Sequence, residues 1–193
     1  MKRRRKCEKF LSIINILFLL VLGGLLFVWI EREIENKRIR EARPLPSGLH
    51  NIVEEKSMEL VEQANKIGIP ILITDGFRSI ESQNEIYEQG RTSSGAIVSY
   101  AKGGESYHNY GLAIDFALLN QDTSISYDLQ RDSNGNGEAD WFEVARIGKE
   151  LGFTWGGDWR GFKDYPHFEY TLGLSIRELQ NGWRLEDKID ESK

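Results

Sequence analysis

Hydrophobic positions follow three different rules along this chain. From Leu11 to Ile30 they form twenty residues without a charge, mostly Leu, Ile, Val and Phe, interrupted by Ser12, Asn15, Gly23 and Gly24. At 1.5 Å per residue a helix of that length spans about 30 Å, the thickness of a bilayer's hydrocarbon core. From Glu31 to Ala42 the pattern is charged and helix-favouring, and Arg43-Pro44-Leu45-Pro46-Ser47-Gly48 breaks it. From Leu49 onward short periodic segments alternate. Ile52 to Ile67 spaces Ile52, Val53, Met58, Leu60, Val61, Ala64 and Ile67 as an amphipathic helix ending at Gly68. Ile69 to Thr74 reads as a strand, Asp75 to Ser79 as a turn, and Ile80 to Gln89 as a helix capped by Ser79 and stopped by Gly90. Short strands are expected over Ala96 to Ala101, Leu112 to Phe116 and Ile125 to Leu129. A helix is expected over Trp141 to Leu151, then a short one over Ser175 to Gln180 and a charged, frayed end.

Charge changes the picture at the N-terminus. Lys2, Arg3, Arg4, Arg5, Lys6 and Lys9 stand against Glu8 alone, and a basic flank stays on the cytoplasmic side of a membrane helix. The expected organisation is a cytoplasmic tail over 1–10, an anchor over 11–30, a stalk and linker over 31–48, and one outer domain over 49–193. A cleaved signal peptide is the rival reading. Its apolar core is normally about 7–15 residues before a small-residue cleavage site, whereas Leu26-Phe27-Val28-Trp29-Ile30 runs straight into Glu31-Arg32-Glu33. Removing those first thirty residues leaves 19 basic against 29 acidic residues, a net charge of −10. That balance excludes a nucleic-acid partner, which calls for a basic patch. The one cysteine, Cys7, lies in the basic tail as an acylation site or a bystander, so no disulfide staples the outer domain. About 140 residues suit a single domain with one core.

Candidate chemistry gathers in Ser106-Tyr107-His108-Asn109-Tyr110-Gly111-Leu112-Ala113-Ile114-Asp115-Phe116. Asp115 falls on a buried strand, where a charge is costly unless it is paired or bound to a cation. His108, on the loop entering that strand, can supply a second ligand to the same ion. Imidazole and carboxylate together suit zinc, which takes a third protein ligand and keeps an open position when catalytic. His167, in Asp164-Tyr165-Pro166-His167, is the candidate third ligand, and the chain has only three histidines. Asp164, three residues before it, is placed to act as a general base. Arg78, between a strand and a helix, is either a ligand contact or a surface arginine paired with Asp75 or Glu81. Gly152 to Trp159 is rich in glycine and aromatics that wall a cleft or fill a core. Asp132-Ser133-Asn134-Gly135-Asn136-Gly137-Glu138-Ala139-Asp140-Trp141-Phe142-Glu143 matches the pattern D-x-[DN]-x-[DN]-G-x5-E. It offers calcium the side chains of Asp132, Asn134, Asn136, Asp140 and Glu143 and the carbonyl of Glu138. A solvated polar turn is the alternative.

These residues resemble the M15 zinc peptidases that cut peptidoglycan stem peptides. The motif S-x-H-x-x-G-x-A-x-D stands at Ser106, His108, Gly111, Ala113 and Asp115, and [DE]-x-x-H at Asp164 to His167. Gly76-Phe77-Arg78-Ser79 with Gln83 matches the family's arginine segment, and the likeness covers about Ile69 to Leu174. Asp-x-Pro-His-Phe and Gln89-Gly90-Arg91 look like the branch of L-alanyl-D-glutamate endopeptidases, which includes phage endolysins and bacterial autolysins. The membrane anchor is an addition to the phage enzymes, which are usually soluble. The resemblance implies an α+β fold with helices on an antiparallel sheet, and zinc held by His108, Asp115 and His167. Asp164 and Arg78 are then the catalytic residues, and Gln83, Ser106 and Trp159 the substrate contacts. The expectation is an endopeptidase of cell-wall stem peptides, anchored in the cell membrane with its catalytic domain facing the wall. A D-alanyl-D-alanine carboxypeptidase of the same fold and a non-catalytic wall-binding module are the alternatives.

Overall fold

The computed structural model describes residues 2–191, with side chains described for 15–190. Met1, Ser192, Lys193 and the side chains of the basic tail, Cys7 among them, lie outside the described residues. The chain divides into two compact units, Met1–Arg43 and Pro44–Lys193.

The first unit is one helix, α1 (Lys2–Glu41). Its Asn15–Glu41 portion is long and apolar enough to cross a membrane by length and composition. The helix does not stop where the apolar run does. It continues through the charged segment, supported by pairs such as Lys37–Glu41 at 3.7 Å and Arg38–Glu35 at 3.3 Å. It ends just before Pro44, where the missing N–H and the ring forbid another turn.

The second unit comprises α2 (Asn51–Lys66), β1 (Ile71–Asp75), α3 (Ile80–Glu88), β2 (Ala113–Leu119), β3 (Ile125–Ser126), α4 (Asp140–Glu150), β4 (Thr154–Trp155), β5 (His167–Glu169), α5 (Ile176–Gln180) and α6 (Leu185–Glu191). All strand pairings are antiparallel, in the order β1-β2-β5-β4, with β3 pairing the far end of β2. α2 buries Val53, Ser57, Leu60 and Ala64, one stripe at helical spacing. α4 supplies Trp141, Val144, Ala145 and Ile147, so the two helices bury the same side of the sheet. Phe116 of β2 is the middle of that core, with ring centroids 4.7 Å from Trp141 and 5.3 Å from Phe168 of β5.

Alternation along the strands sorts the sheet into two faces. Ile114, Phe116 and Leu118 enter the core, which leaves Ala113, Asp115 and Ala117 on the opposite face. Three expectations differ from what is found. Residues 96–101 form no strand: the hydroxyl of Ser99 accepts from the Ala101 amide at 3.2 Å and bends the segment, exposing Ile97, Val98 and Tyr100. The strand expected over 125–129 is only two residues long. The tail is not frayed over 185–191, because Leu185 and Ile189, four residues apart on α6, pack against the core, Leu185 being 1% exposed.

Candidate active site

Strand register brings the site together. Asp115 and His167 are direct partners across β2 and β5, and an antiparallel pair sets facing side chains side by side on one face. His108 arrives from a short 3-10 turn, Tyr107–Tyr110, that leads into β2. Ser106 caps the turn: its hydroxyl accepts from the His108 amide at 3.3 Å, and Asn109 completes a capping box. Gly111 ends it at φ 66°, where a β-carbon would meet the Gly48 carbonyl at 2.3 Å, so only glycine fits.

Three ligand atoms then form a nearly equilateral triangle. His108 Nε2 and His167 Nδ1 are 3.2 Å apart, His167 Nδ1 and Asp115 Oδ1 3.2 Å, and His108 Nε2 and Asp115 Oδ1 3.4 Å. Tetrahedral ligands at about 2.0–2.1 Å from a zinc ion lie about 3.3–3.4 Å from one another. The donors and their spacing therefore suit a divalent metal held on one triangular face with a position left open. The Nδ1 of His108 donates to the Gly76 carbonyl at 2.6 Å, which leaves Nε2 free to ligate.

The electrostatics agree with a cation site. Burial by itself disfavours the charged form of Asp115, yet His108 and His167 beside it hold its carboxyl well below the usual range. Burial also disfavours charging His167, but Asp115 and Glu169 outweigh it and the imidazole is pushed up to about 9. Asp164 behaves oppositely. Burial first, and then the charge of Asp115, raise its pKa against the pull of His167, His108 and Arg78. A carboxylate raised in this way is a better base than a free one.

Asp164 is held from behind by Gly156, whose carbonyl accepts from the Asp164 amide at 3.2 Å. A β-carbon on Gly156 would stand 2.5 Å from the Asp164 carbonyl oxygen and 3.1 Å from the β-carbons of Asp164 and His167. The Asp164 main chain passes too close for any other residue.

Asp115, Asp164, His108 and His167 line one cleft of about 700 Å³, together with Arg78, Ser106, Trp159 and Glu169. Trp159 lays its ring 5.1 Å from that of His167. Arg78 pairs with Asp75, but it is no surface arginine: it is 14% exposed, lines the cleft and stands 3.6 Å from Asp115 Oδ2. Gln83 is placed differently from the expectation of a substrate contact. It is fully buried, accepts from Arg78 at 2.8 Å and donates to the Ala101 carbonyl at 2.8 Å, so it orients the arginine. Sequence reasoning missed Glu169, which had a signal, since two residues past a ligand on a strand means the same face. It read Gly156 only as part of the glycine-rich Gly152–Trp159 stretch, where nothing marked its close approach to Asp164.

The Asp132–Glu143 loop lies outside this cleft, and internal bonds close it. Asp132 accepts from the amides of Gly135, Asn136 and Gly137, and the side-chain amides of Asn134 and Asn136 donate to Glu143 at 3.1 and 2.8 Å. Glu138 pairs with Arg146 at 3.1 Å. Asp140 departs from its expected role as a cation ligand. It is fully buried, 3.1 Å from Arg131 Nε, and accepts from the Ser133 amide at 2.9 Å.

Known proteins of several kinds resemble this chain. The peptidase M15 family model described as D-alanyl-D-alanine carboxypeptidase matches residues 100–170. The chain is 53% identical over 154 residues to the peptidoglycan L-alanyl-D-glutamate endopeptidase CwlK of Bacillus subtilis strain 168, covering 80% of this chain and 92% of that one. It is 31% identical over 113 residues to the L-alanyl-D-glutamate peptidase of Listeria phage A118, covering 58% and 34%. The crystal structure of DacB from Streptococcus pneumoniae D39 superposes with a TM-score of 0.50 at 20% identity, covering 76% of this chain and 79% of that one, a likeness of fold.

Proposed function

This chain belongs to the M15 peptidase family, and from that premise we propose that it hydrolyses the L-alanyl-D-glutamate bond of peptidoglycan stem peptides with zinc at the His108–Asp115–His167 triangle. The observation that carries the metal and the reaction class is the triangle with a burial-raised carboxylate in the same cleft. The bond is inferred from the 53% identity to CwlK over most of both chains.

Zinc, when bound, supplies Lewis acidity and makes a water acidic enough to attack near neutral pH. Asp164 would accept a proton from the attacking water as that water's oxygen adds to the L-alanyl carbonyl carbon. It returns the proton to the D-glutamyl nitrogen as the C–N bond breaks. Arg78, fixed by Asp75 and Gln83, presents positive charge to the cleft, where it steadies developing oxyanion charge or grips a substrate carboxylate. Ser106 positions His108, and Trp159 offers a ring face to the peptide. A stem tripeptide that lacks D-alanine separates the readings. The endopeptidase cuts it as readily as the pentapeptide, whereas the D-alanyl-D-alanine carboxypeptidase cuts the pentapeptide alone.

The same proposal places α1 across the cell membrane, with residues 1–10 cytoplasmic and the domain over 49–193 facing the wall. The apolar length of α1 and its basic flank support it. Recovery of intact protein in the membrane fraction agrees with this, and a soluble form beginning near residue 30 contradicts it.

Calcium at the Asp132–Glu143 loop is a further part of the reading. Asp132, Asn134, Asn136 and Glu143 converge there, and the Glu138 carbonyl completes the sequence pattern, while Asp140 stays with Arg131. A melting midpoint raised by millimolar calcium in the parent but not in Asp132→Ala supports it. An unchanged parent midpoint makes the loop a polar turn.

A further inference from the structure

The ring of His167 lies between two carboxylates. Its Nδ1 is 3.2 Å from Asp115 Oδ1 inside the ligand triangle, and its Nε2 is 3.5 Å from Glu169 Oε2 outside it. Strand geometry produces this arrangement. His167 and Glu169 are two residues apart on β5 and share the cleft face, while Phe168 between them points into the core. The cross-strand partner of Glu169 on β2 is Ala113, too small to intervene.

We propose that Glu169 is a positioning residue that fixes the tautomer and ring orientation of His167, so that Nδ1 is the atom presented to the metal. The inference rests on the metal reading above. A neutral imidazole that ligates through Nδ1 carries its one proton on Nε2, and Glu169 is the acceptor standing there. His108 solves the same problem in the opposite sense, with Nδ1–H on the Gly76 carbonyl and Nε2 in the triangle. The aromatic neighbours of the His167 ring are Trp159, tilted at 5.1 Å, and His108, edge-on at 5.0 Å. Ring contacts of this kind help set the plane of an imidazole but do not choose between its nitrogens. A ring flip would exchange Nδ1 for a carbon in the triangle, and a carboxylate on Nε2 opposes that flip.

The test measures zinc affinity by chelator competition on the detergent-solubilised full chain, for the parent, Glu169→Ala and Glu169→Gln. Turnover is read separately at saturating zinc. Loss of an outer hydrogen-bond partner of a metal-bound histidine typically weakens metal binding about 10–100-fold. Glu169→Ala is expected to fall in that range and to recover most of its turnover once zinc saturates. Glu169→Gln keeps an acceptor oxygen and should bind zinc more tightly than the alanine variant. Parent-like affinity in Glu169→Ala with turnover lost at saturating zinc overturns the proposal and makes Glu169 a substrate contact. Equal weakening in both variants overturns the orienting role in favour of charge alone. A parent that binds no zinc removes the metal reading itself, an outcome distinct from the other two.

Discussion

Alanine at Gly156 should slow the enzyme without replacing any side chain of the site. The added methyl would stand 2.5 Å from the Asp164 carbonyl oxygen. An ordinary carbon–carbonyl contact begins at about 3.3 Å, so the Asp164 segment must retreat by about 0.8 Å. The obstacle is main chain, which cannot rotate aside as a side chain would, and the same segment is tied back to Gly156 through the Asp164 amide. Overpacking of this kind costs about 1–3 kcal/mol of stability. A misplacement near 1 Å in a reacting group costs about 10²-fold in rate. The expected result is a kcat/KM lower by about 10–100-fold, or about 1.4–2.7 kcal/mol of transition-state stabilisation, mainly in kcat, with zinc still bound. Steady-state hydrolysis of a defined muropeptide, zinc content and a melting curve together measure this. Gly48→Ala is the control, because a β-carbon there meets nothing within 4 Å. Parent turnover in Gly156→Ala, with or without a lower melting midpoint, would refute the link between this close approach and the proposed base.

Four further outcomes follow from the same geometry. His108→Ala, Asp115→Ala or His167→Ala should each abolish zinc retention, read by elemental analysis; full occupancy in any of them removes that residue from the ligand set. Asp164→Asn should keep zinc and lose about 10²–10⁴ in turnover. Because burial and Asp115 raise the Asp164 pKa, the parent's acid limb should lie above about 4, the ordinary aspartate value, and vanish in Asp164→Asn. For the chelated protein, His167 is raised in the folded state, so its contribution to stability is complete below about 6.5 and lost as pH rises through about 9. The melting midpoint of chelated protein should fall across that window, and zinc-loaded protein should not follow it.

How much was legible depended on whether a signal was local. His108, Asp115, Asp164 and His167 stand in short spacings, and the register of β2 against β5 makes those spacings into one cluster. The α2, β1 and α3 segments were readable for the same reason, from period and caps. Ile97, Val98 and Tyr100 misled because they look like a strand and instead stand exposed, Val98 and Tyr100 on the wall of the cleft. The charge of the last residues hid the Leu185–Ile189 stripe that docks α6. Asp140 occupies the ninth position of the D-x-[DN]-x-[DN]-G-x5-E pattern, yet Arg131 claims its carboxylate, and Gln83 is taken by Arg78 and Ala101. Tertiary partners of this kind leave no mark in spacing. The close approach behind Gly156 is another, fixed by where β4 and β5 bring the chain together.

Mass spectrometry of purified peptidoglycan digested with the zinc-loaded protein tests the central claim most directly. The account predicts fragments with a new amino terminus on D-glutamate and glycan-linked remnants ending in L-alanine, all absent with Asp164→Asn. Release of free D-alanine with the L-alanyl-D-glutamate bond intact would contradict it.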